Sequence, residues 1–262
     1  MQPVALFGPL AVVVGAVIGS FANVVALRWS SGKGLQFKSR SRCSHCKRIL
    51  RWFELIPVLS YIIQAGRCRD CGQVLSIRYL LVEILFACFF SSLVWVSGSW
   101  AEFLFLASAG TLLGIALLVD LEQLLLPDVL TVGFIVLVTV ALLLGREPNL
   151  SGVVSSGAFS TWWSGVLIGG GGLGLLYLST RGRGMGLGDV KLAAALGLSL
   201  GGGGMLLALG IAFVTGAIVG LGLLVGRRAT LKSALPFGPF LILGWWVVLL
   251  SGHSIWAWYT NL

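Results

Sequence analysis

The sequence predicts an all-α polytopic membrane protein of about eight transmembrane helices, with one small cytoplasmic loop domain. Three observations predict it. Hydrophobic residues make up 57% of the 262 and charged residues only 10%, against about 25% charged in soluble domains. Apolar runs of roughly 17–24 residues recur along the chain, long enough to cross a bilayer. A single polar, basic stretch at 28–78 interrupts them and carries two Cys-x-x-Cys pairs.

The elements follow in order. Span 1 covers 4–27; Met1-Gln2-Pro3-Val4 lacks the basic start of a cleaved signal peptide, so it reads as a retained helix. The polar loop fills 28–78. Span 2 is 79–96, and Ser97-Gly98-Ser99 turns the chain into span 3 at 102–120. Span 4, 128–145, starts behind Pro127, where proline is well tolerated. A Ser/Gly-rich loop at 146–161 precedes span 5 at 162–180. A glycine-rich break at 181–188 leads to a short span 6 at 190–200, a turn at Gly201–Gly204, span 7 to 225, and span 8 at 236–251. The 37 glycines read mostly as sites of close helix approach; Gly169–Gly174, inside a span, are among them. The domains expected are 1–27, the first helix; 28–78, the cysteine loop; and 79–262, a seven-helix membrane domain.

Charge sets the orientation. Residues 28–78 hold eleven Lys/Arg against Glu54 and Asp70, and so account for the net charge of +9. A basic block can bind nucleic acid, but beside membrane spans the excess of basic residues on the cytoplasmic side explains it better. We expect no nucleic-acid partner, only anionic lipid, worth ~1 kcal/mol per basic residue near the surface. With both termini outside, Arg28, Arg181, Arg183, Arg227, Arg228 and Lys232 all fall on the cytoplasmic side and only Arg146 outside.

Cys43-Ser-His-Cys46 and Cys68-Arg-Asp-Cys71 have the spacing of a four-thiolate zinc site, two knuckles closing one tetrahedron. This makes the loop zinc-ribbon-like, and a closed four-cysteine shell points to structural Zn2+. A cytoplasmic setting keeps the thiols reduced. His45 could be an alternative ligand, but four cysteines already fill the shell. Cys88, within span 2, reads as a small buried residue.

Two aspartates stand out. Asp120 ends the apolar run 111–119, and Asp189 follows Gly186-Leu187-Gly188. An ionisable residue at membrane depth is costly and points to a functional site. The charge-derived topology puts both on the cytoplasmic face without having used them. Taken singly, Asp120 could be a helix-end charge and Asp189 an N-cap. Gly186 and Gly188 allow φ > 0 and close approach of an extended peptide, and Lys191 could bias the charge of Asp189. Glu122 and Asp128 are the runner-up carboxylates. A transporter using the acids to bind protons or cations is the rival reading; against it, both acids lie at one face and no inverted repeat is evident. A scaffold built on the cysteine loop would leave the aspartates idle.

Gly-x-Gly-Asp with a second aspartate ending an earlier span resembles the type IV prepilin peptidases, a branch of the GxGD membrane aspartic proteases. The resemblance covers nearly the whole chain: Gly19-Ser-Phe-Ala-Asn-Val-Val-Ala-Leu-Arg28, the paired Cys-x-x-Cys with Ile56-Pro57 between and Arg78-Tyr-Leu-Leu-Val-Glu83 after, the segment Asp120–Asp128, and Gly186–Lys191. It implies Asp120 and Asp189 as catalytic dyad, and cleavage of the basic leader of prepilins or type II secretion pseudopilins on the cytoplasmic face of the bacterial inner membrane. It also implies N-methylation of the new terminus with S-adenosylmethionine. No nucleotide-type fingerprint locates that cofactor; the candidates are Glu54 and Glu83. Ser44 stands where the family usually has proline, and Leu55 where asparagine is common; neither touches the dyad.

Overall fold

A computed structural model describes residues 7–30, 41–43, 45–144, 161–228, 230, 233 and 235–261. All but the last residue of the loop expected at 146–161, including Arg146, lies outside them, as do Lys232, Ser44 and much of the basic stretch before Cys43. The helices are α1 (Gly8–Ser30), α2 (Leu59–Ile63), α3 (Arg78–Val96), α4 (Trp100–Gln123), α5 (Asp128–Leu143), α6 (Trp162–Val166), α7 (Gly172–Ser179), α8 (Leu187–Val225) and α9 (Gly238–Thr260). Among the described residues there is no strand, only the isolated bridges Arg42–Ile49 and Arg67–Val74. Five helices, α1, α3, α4, α8 and α9, are long and apolar enough to cross a membrane, while α5 is apolar but shorter.

The helices form two compact units, Met1–Ile115 and Ala116–Leu262. In the first, α1 packs on α3 through Gly15 and Gly19, spaced four apart on one face. A Cβ on Gly15 would stand 2.6 Å from the Phe86 carbonyl oxygen, and one on Gly19 2.8 Å from Phe86 Cβ. Only glycine lets the backbones approach so closely. Phe89, Phe90, Phe103 and Leu106 complete this core.

In the second unit, Gly165 meets Gly197 backbone to backbone, Gly169 meets Ala193, and Gly244 meets Ala208. Trp245, 1% exposed, donates its indole N–H to Ser199 Oγ at 3.1 Å, tying α9 to α8. Large apolar side chains elsewhere, such as Leu143 and Val225, point outward, the surface a helix presents to lipid.

Several boundaries differ from those expected. Helix α4 continues past Asp120 to Gln123, so Asp120 lies inside the last turn. Helix α9 runs to Thr260, nine residues past the end expected at 251; Trp256, Trp258 and Tyr259 suit the membrane interface and continue it. The turn expected over Gly201–Gly204 shrinks to Gly201, with φ 69° and ψ 178°. Gly169 faces both Ala193 and Met205. Twelve residues of straight helix would hold these about 18 Å apart, so the chain bends sharply at Gly201. Expected span 5 is α6 and α7 joined by a π turn, Leu167–Gly171. Close packing holds for Gly169 and Gly170, whereas Gly171 and Gly172 face open space.

Candidate active site and cysteine centre

Asp120 is 4% exposed. One turn later the Leu124 N–H returns to the Asp120 carbonyl at 2.9 Å, and Leu124 takes φ 54°, a left-handed conformation that costs about 1–2 kcal/mol in an L-residue. The helix therefore ends abruptly behind the carboxylate, and the chain swings through Leu126 to Pro127, the N-cap of α5. Asp128 is the first residue of that helix rather than its cap.

Asp189 lies in the first turn of α8, behind the N-cap Gly186. It is not itself the cap: its Oδ2 accepts the Gly186 N–H at 3.3 Å, the return half of a capping box. Gly186 has φ −81°, and neither it nor Gly188 is among the positive-φ glycines. Their freedom to reach φ > 0 is unused. Gly188 serves approach instead: its Cβ position is 3.1 Å from Leu126 Cβ, which brings the start of α8 against the segment following Asp120.

Asp120 and Asp189 line one cavity of about 930 Å³. Its walls include Leu124, Met185, Phe213, Phe237 and Phe240, with Arg183 and Ser233 as polar members. The Gly238 amide stands beside both carboxylates, so the two acids occupy one small region. Among the described residues Asp120 Oδ2 is buried with no hydrogen-bond partner. Lys191 does not supply one: its Nζ binds both oxygens of Asp128, at 2.8 and 3.0 Å. That pair is solvent-exposed and leaves Asp128 engaged outside the cavity. Sequence reasoning missed Leu235-Pro-Phe-Gly238-Pro239, which brings Gly238 to the carboxylates. A glycine between Pro-Phe and Pro at the head of an apolar run was the available signal.

In the other unit the four thiols of Cys43, Cys46, Cys68 and Cys71 lie within 4.8 Å of one another. The two knuckles share one geometry. The Lys47 N–H donates to the Cys43 carbonyl at 3.1 Å and the Gly72 N–H to the Cys68 carbonyl at 2.9 Å, and Lys47 and Gly72 both have positive φ. Backbone N–H groups of Cys71 and Asp70 lower the Cys68 thiol to about 6, and those of Cys46 and His45 lower Cys43. Thiols this close fit a metal ion, and His45 is not among the clustered donors.

Arg48 binds the knuckles together. It pairs with both oxygens of Glu54 at 3.0 and 2.7 Å and with Asp70 at 2.6 Å. Hydrogen bonding from Arg48, followed by that of the Arg51 N–H, holds the Glu54 carboxyl below its ordinary range. Glu83, also buried, accepts the Val58 N–H at 2.7 Å. That bond fixes Val58 at φ 61°, an unusual place for a β-branched residue. Both acids considered for cofactor binding thus hold the loop's own backbone.

The sequence profile of the bacterial peptidase A24 N-terminal domain matches residues 13–97, and that of the type IV leader peptidase family matches 107–221. A prepilin leader peptidase/N-methyltransferase of Pseudomonas putida is 34% identical, covering 98% of this chain and 94% of its own. Proteins of the same name from Legionella pneumophila (35% identical; 85% of this chain, 76% of the relative) and Aeromonas hydrophila (33%; 97% and 94%) agree. No solved structure gives a significant match. The chain belongs to the type IV leader peptidase family.

Proposed function

We propose that this chain is a membrane aspartic endopeptidase that removes the basic leader of type IV prepilins or pseudopilins, with Asp120 and Asp189 as its dyad. The observation that carries the reading is a buried, unpartnered Asp120 oxygen sharing a cavity with Asp189. Leaving such an atom unpaired costs about 1–3 kcal/mol, a cost that makes sense where water and a peptide carbonyl are to bind. Two neighbouring carboxylates share one proton, because both cannot easily ionise together. The ionised one takes a proton from water, whose oxygen attacks the scissile carbonyl. The protonated one donates to the carbonyl oxygen. Collapse of the tetrahedral intermediate breaks the C–N bond, and a proton passes to the leaving amine. The roles belong to the pair, not to either residue alone.

The same reading places the protein in the bacterial inner membrane, with both termini outside and the dyad and cysteine loop cytoplasmic. The positions of Arg28, Arg181, Arg183, Arg227 and Arg228 support this. Structural Zn2+ on Cys43, Cys46, Cys68 and Cys71 would hold the loop at 28–78. The relatives' names support a second activity, N-methylation of the new terminus with S-adenosylmethionine as donor. The transporter alternative has no support from the family.

The test is cleavage of a prepilin-like peptide by the full chain in detergent, comparing Asp120→Asn and Asp189→Asn with the parent. Each substitution should abolish cutting while the protein stays folded. Cutting by both single variants at the parent rate would remove the dyad from the mechanism.

A further inference from the structure

We infer that Gly238 is a positioning residue for the dyad, its missing side chain forming the seat of the Asp120 carboxylate. The inference rests on the proposed dyad and adds a residue that acts through Asp120.

Three observations converge. A Cβ on Gly238 would stand 2.6 Å from Asp120 Oδ2 and 3.4 Å from Asp120 Cγ. No side chain can be added while that oxygen stays where it is. The same Oδ2 is the buried atom without a partner, so what sits against it is bare backbone. Finally, Gly238 opens α9, with proline beside it in the first turn, and its neighbours Pro236 and Phe237 line the cavity. The amide end of a helix thus faces the acids. Such an end favours negative charge, which would stabilise the ionised member of a pair that must carry one charge.

The geometry separates fold from chemistry. The atom blocking a Cβ is the tip of a rotatable side chain, not backbone. An alanine can therefore be accommodated by swinging the carboxylate aside, at little cost to folding and at large cost to alignment. Contrast Gly244, whose Cβ would run into the Ala208 backbone, where nothing can swing away.

The experiment uses the full-length protein in detergent and a prepilin-like peptide. Gly238→Ala should lower kcat by about 10²-fold, the scale of a misplacement near 1 Å, with KM within about twofold of the parent, since uniform binding is untouched. Gly220→Ala, where a Cβ meets open space, should leave both constants unchanged. A melting-temperature cycle supplies a readout independent of activity. Any stability cost of Gly238→Ala in the parent should disappear in Asp120→Ala, where the obstructing oxygen is gone.

Full kcat in Gly238→Ala, with Asp120→Asn and Asp189→Asn inactive, would overturn this inference and leave the dyad standing. Active aspartate variants would overturn the dyad itself. A loss of melting temperature from Gly238→Ala that is the same in both backgrounds would also overturn the inference, because it would show a packing role unrelated to Asp120.

Discussion

The molecule contains two polar centres, and they are built on opposite rules. In the cysteine loop, among the described residues, the buried carboxylate of Glu54 is engaged through both oxygens, and Arg48 Nε, which lacks a hydrogen bond, stands in ion-pair contact with Asp70. Arg48 is gripped by Glu54 and Asp70, Glu54 also takes the Arg51 N–H, and two thiols take backbone N–H groups. At the aspartates the opposite holds: Asp120 keeps a buried oxygen with no hydrogen bond, and the nearby lysine is spent on Asp128. Satisfied polarity holds a fold together; unsatisfied polarity facing a cavity is available for reaction.

The largest effect should come from the unsatisfied centre. Asp120→Asn removes an acid–base group and should slow cleavage by about 10³-fold or more. Because that carboxylate makes no hydrogen bond through Oδ2, the melting temperature should stay level or rise slightly. A fall in activity matched by a fall in melting temperature would break the contrast, by making Asp120 part of the structure.

The cysteine centre should respond the other way. Chelation, or Cys68→Ser, should strip metal from the protein and destabilise the loop. Binding at a thousandfold above its dissociation constant is worth about 4 kcal/mol, and that is the scale expected to be lost. Cleavage per folded molecule should survive. Metal analysis, thermal melts and peptide cleavage on one sample decide it; loss of cleavage without loss of metal or stability would give the thiols a chemical role.

Glu54→Gln sharpens the same side of the contrast. Its carboxylate is 1% exposed, and the exchange replaces charge-assisted bonds with neutral ones, costing about 1–3 kcal/mol. The pH dependence has a definite sign. The folded carboxyl titrates below its ordinary 4.5. Its contribution is therefore complete above that value and disappears as pH falls through the lower, folded one. Thermal melts of the parent should lose stability below about pH 4.5, and the part due to Glu54 should be missing from the glutamine variant.

Much of this was legible in the chain because its signals are local. Cys-x-x-Cys spacing encodes a knuckle, and both knuckles close as the spacing implies. Apolar runs encode helices, and charge scarcity makes Asp120 and Asp189 conspicuous. What was not legible depends on contacts between distant segments. Gly186-x-Gly188 suggested φ > 0, but α8 begins early enough to make Gly188 helical, and its use is the approach to Leu126. Gly238 stands in a marked Pro-Phe-Gly-Pro pattern, but that pattern names no partner; it matters because Asp120, more than a hundred residues earlier, is folded against it.

The smallest predicted effect concerns Lys191, and it tests how far a neighbour in sequence acts as a neighbour in space. Two residues from Asp189, it looked placed to bias that carboxylate. A helix turns about 100° per residue, so residues two apart do not share a face. Lys191 instead reaches Asp128, and the side chains of the pair are 52% and 66% exposed. Exposed pairs contribute about 0–1 kcal/mol. Lys191→Met should therefore change the melting temperature little and leave the pH profile of cleavage in place. Added salt should weaken the pair in the parent and so shrink what little difference in melting temperature separates it from the variant. A displaced pH profile in Lys191→Met would mean that its charge is felt at the dyad across the helix.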